Sequence, residues 1–286
     1  MENLLEISGL SKRYPSFSLG NVSFSLPAGS IMGFIGENGA GKTTTIKLIL
    51  NEVRRDGGGI KIFGRDNIRD EEKVKEQIGV VFDESYFYGG LTADDVGRIL
   101  SRVFKTWDPA LYDRYKKDFE LPRGKTIKEY SKGMKRKLSI ASALAHRPRL
   151  LILDEATSGL DPVMRSDILD VLLDFIQDES RGVLFSSHIT SDLERIADYV
   201  TFLHKGRVVF SRSKDDLTEQ YGIVKCGASR FGGLDKSGFL RWRRGGAECE
   251  ALVADKNEAR RRYPGLVVDG ASLDEIMLLY IRGEKA

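Results

Sequence analysis

The segment Gly36-Glu37-Asn38-Gly39-Ala40-Gly41-Lys42-Thr43 constrains this chain more than any other. It fits the pattern G-x-x-x-x-G-K-[ST], and its setting matches the physics of that pattern. Ile31-Met32-Gly33-Phe34-Ile35 precedes it, a short apolar run suited to a strand buried on both faces of a parallel sheet. Residues 42–50 follow it and read as a helix. The glycines let the backbone close around an anion. Amides at the start of the helix then point at that anion. From there Lys42 reaches the β- and γ-phosphates of a nucleotide, and the Thr43 hydroxyl reaches a magnesium ion. An ordinary Gly-rich turn before a helix needs neither side chain.

The rest of the chain supplies a scaffold of the same class. Val22, Phe24 and Leu26 alternate with Ser23 and Ser25, the pattern of a half-buried strand, and Pro27-Ala28-Gly29 turns the chain. Residues 60, 62 and 78–82 read as further strands. The character changes at 92–104, 109–119 and 132–146, which are helical in composition and spacing. In the last of these, Met134, Leu138, Ala141 and Ala145 share one helix face. Strand and helix then alternate through 150–153, 162–177, 183–186 and 191–197. Such alternation predicts an α/β fold: a parallel sheet with packed helices, interrupted by a helical insertion. Asp161 stands where it would cap the helix that Pro162 opens.

Leu150-Leu151-Ile152-Leu153-Asp154-Glu155 is the second chemical signal. An apolar strand ends there in two carboxylates. Strand C-termini of a parallel sheet open onto the ligand crevice, so one carboxylate serves a metal shell and the next faces an attacking water.

Taken in order, these motifs resemble the ATP-binding cassette (ABC) ATPases over residues 3 to 210 or so. Tyr14, which alone would read as a strand-edge aromatic, matches in this motif context the adenine-stacking aromatic. Residues 36–43 match the phosphate loop, with Thr44 just after it. Tyr130-Ser131-Lys132-Gly133-Met134 matches the signature motif, Asp154 and Glu155 the metal-binding and catalytic carboxylates, Ser158-Gly159-Leu160-Asp161 the D-loop, and His188 the switch histidine. The resemblance implies a P-loop NTPase with a RecA-like parallel core, an antiparallel β subdomain and a helical subdomain at about 90–148. A small α+β extension at 211–286 would follow the ATPase domain at 1–210. It implies ATP and Mg²⁺ as cofactors, with Thr43, Asp83 and Asp154 toward the metal and Glu155 and His188 as catalytic residues. Ser131, Lys132, Gly133 and Met134 would act in trans on the site of a second ATPase subunit, a copy of this chain or a paralogue.

Two positions depart from the family pattern. Asp83 stands where relatives carry glutamine; its hard oxygen still suits magnesium. In the signature, Lys132 and Met134 replace a glycine and a glutamine.

Composition narrows the partners. With 45 basic and 42 acidic residues the charge is too balanced to expect nucleic acid. No apolar run approaches the roughly 18 residues of a membrane helix. A transporter reading therefore needs a separate transmembrane permease, with this chain cytoplasmic and peripheral on the membrane's inner face. The start of the chain has no basic flank and no long apolar core, so no secretory signal is expected. Tyr86, Phe87 and Tyr88 fit either the groove that receives the permease or the core of the helical insertion. The two cysteines, Cys226 and Cys249, read as cytosolic thiols.

The tail at 211–286 mixes 14 basic with 12 acidic residues, so its arginine clusters at 241–244 and 260–262 read as solvated faces. The tail resembles the extensions of bacterial exporter ATPases of the bacitracin-resistance type, which favours export. Two other classes stay open: a soluble ABC ATPase acting on DNA or ribosomes, and a switch that binds ATP without turning it over.

Overall fold

The computed structural model describes residues 2–84 and 86–285. The chain divides into two compact units, with the break between Ser211 and Arg212.

In the first unit, β1 (Asn3–Arg13) and β2 (Ser18–Pro27) pair antiparallel. Val22, Phe24 and Leu26 of β2 point inward, as the alternation predicts. Then come β3 (Ser30–Ile35), α1 (Lys42–Ile49), β4 (Gly57–Ile62), β5 (Arg65–Asp66), α2 (Glu71–Lys75) and β6 (Ile78–Val81). Strands β2-β1-β4-β5 form one antiparallel sheet in that order. The helical insertion is α3 (Ala93–Val103), α4 (Pro109–Asp118) and α5 (Lys132–Leu144). Thr92 opens α3 with a capping box, Asp108 caps α4 ahead of Pro109, and Ser131 caps α5. The alternation then resumes with β7 (Leu150–Asp154), α6 (Pro162–Phe175), β8 (Gly182–Ser187), α7 (Thr190–Ile196), β9 (Tyr199–His204) and β10 (Arg207–Ser213).

The second sheet has the order β10-β9-β3-β8-β7-β6. Every pairing from β9 to β6 is parallel. Every residue of β3, β7 and β8 is buried, which explains their unbroken apolar runs. Register sets Ile35 opposite Ser187, and Asp154 opposite Ser186. The phosphate loop, the two carboxylates and the segment bearing His188 therefore leave the sheet side by side, at its C-terminal edge.

Several elements end earlier than expected, among them the helix at 162–177, which stops at Phe175. The strand at 78–82 stops at Val81, because the Phe82 carbonyl is taken by the Arg136 guanidinium. The helix at 132–146 stops at Leu144. His146 turns into the core, its ring stacked 4.0 Å from Phe104 and its Nε2 3.1 Å from the Ile78 carbonyl.

The second unit opens with α8 (Lys214–Gln220) and β11 (Gly222–Gly227), then α9 (Ala228–Phe231), β12 (Arg241–Gly245) and β13 (Glu248–Val253). It closes with α10 (Lys256–Arg262), β14 (Val267–Gly270), α11 (Leu273–Arg282) and β15 (Glu284–Lys285). The strands form an antiparallel sheet in the order β14-β11-β13-β12-β15. Three of its arginines find partners within the unit: Arg243 on Glu250, Arg262 on Asp235, and Arg241 over the Tyr280 ring. Cys226 and Cys249 are free thiols on directly paired residues of β11 and β13. Among the described residues, no helix is long and apolar enough to cross a membrane.

Candidate functional site

The loop between β3 and α1 owes its shape to its glycines. Gly39 and Gly41 have φ of 81° and 110°, where a side chain would be strained. At Gly36 a Cβ would stand 2.4 Å from the Leu203 carbonyl oxygen. Gly41 is the N-cap of α1 and supplies no side-chain cap, so the first amides of the helix are left for an outside acceptor. Glu37, Asn38, Gly39 and Thr43 line the open side, Thr44 is half-buried, and Ala40 is buried beneath the loop. Glu37 lies 3.4 Å from His204.

Lys42 runs back under this loop. Only 5% exposed, it donates from Nζ to the Gly36 carbonyl at 2.7 Å and weakly to that of Glu37 at 3.4 Å. The same ammonium is 3.1 Å from Glu155 Oε1, an ion pair without hydrogen-bond geometry. The other carboxylate oxygen, Oε2, is 2.6 Å from His188 Nδ1. With Glu155 ionised, Nδ1–H is the donor. Lys42, Glu155 and His188 thus form one chain across the ends of β3, β7 and β8. Glu155 sits at φ 52°, a left-handed conformation uncommon for a residue other than glycine. Its amide donates to the Ser186 carbonyl, so the bend is held by the neighbouring strand.

Asp154 is 4% exposed, and its Oδ1 has no hydrogen-bond partner. An orphaned buried carboxylate oxygen is costly unless a cation completes it. Among the described residues, no three His, Cys, Asp or Glu side chains form a metal cage. Magnesium rarely uses one; it takes one or two protein oxygens and completes its shell with water and phosphate. Asp154 and the open Thr43 hydroxyl fit that requirement.

The other expected residues divide. Tyr14 is 37% exposed, with Lys12 Nζ 5.7 Å from its ring centre. Phe17, which the sequence did not single out, packs against the loop: a Cβ on Gly41 would meet its ring at 2.8 Å. Ser131 and Lys132 are exposed at the start of α5, where Ser131 accepts from the Met134 amide. Met134 is half-buried, and Gly133 is buried against Met164 of α6. Asp161 caps α6 through the Val163 and Met164 amides, and the Ser158 amide donates to the Glu155 carbonyl. Asp83 Oδ1 accepts from Arg136 Nη2 at 2.9 Å and lies 3.8 Å from Lys132 Nζ. The carboxylate expected to face magnesium is hydrogen-bonded to a guanidinium of α5. Tyr86 and Tyr88 are 73% and 77% exposed, so neither belongs to a helical core. Ser85, between Asp83 and this pair, lies outside the described residues.

Asp192 gave no signal in the sequence. It is 3% exposed, accepts from the Thr157 hydroxyl at 2.8 Å, and lies 3.4 Å from Arg165 Nε. Thr157 follows Glu155 by two residues and Asp192 follows His188 by four, so one carboxylate ties the two segments together. Asp192→Ala should lower unfolding stability by about 1–3 kcal/mol through the orphaned hydroxyl and guanidinium. A urea unfolding midpoint equal to wild type would show that the tie is idle.

Comparison with known proteins follows the same lines. The family model for ABC transporters matches residues 19–158. The bacitracin transport ATP-binding protein BcrA of Bacillus licheniformis is 32% identical over 223 residues, 77% of this chain and 73% of that relative. This chain belongs to the ABC transporter ATP-binding proteins. The ABC transporter ATP-binding protein YtrB of Bacillus subtilis is 32% identical, covering 76% of this chain and 75% of its own. A solved ATP-binding subunit of an ABC transporter superposes with a TM-score of 0.69 at 30% identity, over 80% of this chain and 93% of that one. As an ABC ATPase, this ATP-binding subunit hydrolyses ATP on a P-loop fold, and it works with a membrane permease on a separate chain.

Proposed function

We propose that two copies of this chain close around two ATP molecules, hydrolyse them at shared sites, and drive export through that permease. The linked Lys42, Glu155 and His188 carry the hydrolytic part of the reading. Lys42 neutralises the terminal phosphates, leaving Glu155 when a triphosphate arrives. Glu155, released on that side, takes a proton from water, and His188 holds the carboxylate through Oε2 in the orientation that reaction needs. Held by Thr43 and Asp154, a magnesium ion would offset charge building on the phosphate oxygens. The helix-start amides after Gly41 bind the phosphates, and Tyr14, open to solvent, stacks on adenine.

The chain carries one phosphate loop and one signature motif, so a complete site draws Ser131 and Gly133 from a second copy. A twofold pair is the simplest closed arrangement. For the permease, a recess of about 250 Å³ lined by Phe82, Tyr86, Phe87 and Phe104 offers an apolar seat on the helical insertion. Export rests on relatives: one is named for bacitracin transport, another, SrtF of Streptococcus pyogenes, for lantibiotic transport at 31% identity.

The test is light scattering on the Glu155→Gln protein. Mg-ATP should convert it to a dimer, and removal of magnesium by chelation should return the monomer. A monomer at saturating Mg-ATP would refute a site shared by two copies of this chain.

A further inference from the structure

Arg136 is a buried charged side chain that the hydrolytic machinery leaves unused. It lies on α5, five residues after Ser131, and its side chain is 3% exposed. It donates through Nη1 to the Phe82 carbonyl, and through Nη2 to the Asp83 carbonyl at 2.5 Å and to Asp83 Oδ1 at 2.9 Å. The guanidinium thus grips the exit of β6 by two backbone oxygens and one carboxylate. Burial pulls its pKa below the ordinary value, and Asp83, with Asp154 behind it, works against that shift. Lys132, 3.8 Å from Asp83 and half-exposed like it, adds little.

We propose that Arg136 and Asp83 act as one charged joint, a positioning pair that fixes the signature end of α5 to the strand beside the nucleotide carboxylates. β6 pairs directly with β7, the strand that ends in Asp154. A helix transmits displacement along its axis, so a shift at Phe82 and Asp83 is carried to Ser131. The joint therefore sets where the signature motif meets the partner's nucleotide. Asp83 supplies the anion that a buried guanidinium requires, which a glutamine there would not. The inference rests on the shared-site reading above.

The experiment is a double-mutant cycle of Asp83→Gln, Arg136→Gln and the pair, in otherwise wild-type chain for turnover and in Glu155→Gln chain for Mg-ATP dimerisation. Each single change should lower kcat and weaken dimerisation about tenfold, in the range of coupled contacts, with ATP affinity of the monomer retained. The neutral pair of amides should recover both to within about threefold. Additive losses in the double variant, or singles that turn over like wild type, would overturn the joint. So would a half-saturating Mg²⁺ concentration raised by Asp83→Gln but not by Arg136→Gln, which marks a metal ligand. Should Arg136→Gln fail to fold, Arg136→Lys decides: it keeps the charge but not the fork, so dimerisation must still weaken. Failure of the parent Glu155→Gln chain to dimerise would instead strike the shared-site reading.

Discussion

Glu155→Gln should bind ATP at least as tightly as the wild-type chain and hydrolyse it at least about 100-fold more slowly. The amide is isosteric with the carboxylate, so the bend after β7 and the contact with His188 have no steric reason to change. It cannot accept a proton at neutral pH, which removes the general base. It also carries no charge, so Lys42 loses the ion pair at 3.1 Å that competes with an incoming phosphate. That second consequence makes the prediction specific: turnover falls while affinity holds or rises. Phosphate release and titration with a fluorescent ATP analogue read the two separately. Wild-type turnover would remove Glu155 from the chemistry. Weakened binding would mean that the Lys42–Glu155 pair organises the site rather than competing for it.

Lys42→Ala should lose affinity instead. The ammonium is buried, and its two carbonyl contacts aim it along the inside of the loop. Hydrogen bonds to charged groups are worth about 1.5–3 kcal/mol, so the dissociation constant for ATP should rise about 10- to 100-fold. Unchanged affinity by titration would show that the loop amides alone hold the phosphates. Because Glu155 would then keep only His188 as a partner, the two variants fail in different ways, and the pair of measurements separates binding from catalysis.

How much of this was legible from residues depended on the length scale of the interaction. The phosphate loop, the buried runs of β3 and β7, and the cap at Asp161 are local: each is a few residues obeying one rule of backbone or burial. They stood in the sequence, and the structure has them. The first strand was harder to read. In β1 the pairing register shifts between Ile7 and Leu10, around Gly9 at φ 59°, which breaks the period of two that marks a strand. Strands β9 and β10 and most of the second unit were also unread. β9 pairs with β3, and β11 with β13 and β14, across long stretches of chain, whereas the neighbours β9 and β10, and β12 and β13, are joined by two residues and were open to a local reading. The same holds for single side chains. Nothing near Arg136 or Asp192 distinguishes either from a surface charge on an amphipathic helix. Their roles come from partners 53 and 35 residues away, Asp83 and Thr157. Asp83 shows the limit most clearly: position suggested a metal ligand, and only the fold brings Arg136 to it.

The most direct test of the shared site is complementation between two inactive chains. One carries Lys42→Ala and keeps its signature motif; the other carries Ser131→Arg and keeps its phosphate loop. A mixed dimer then holds one complete site, made of Lys42 from one chain and Ser131 from the other. Each variant alone should be nearly inactive, and an equal mixture should recover about a quarter of wild-type turnover when copies pair at random in twofold dimers. No gain at any mixing ratio, from two variants that remain folded, would contradict a site built from two copies of this chain.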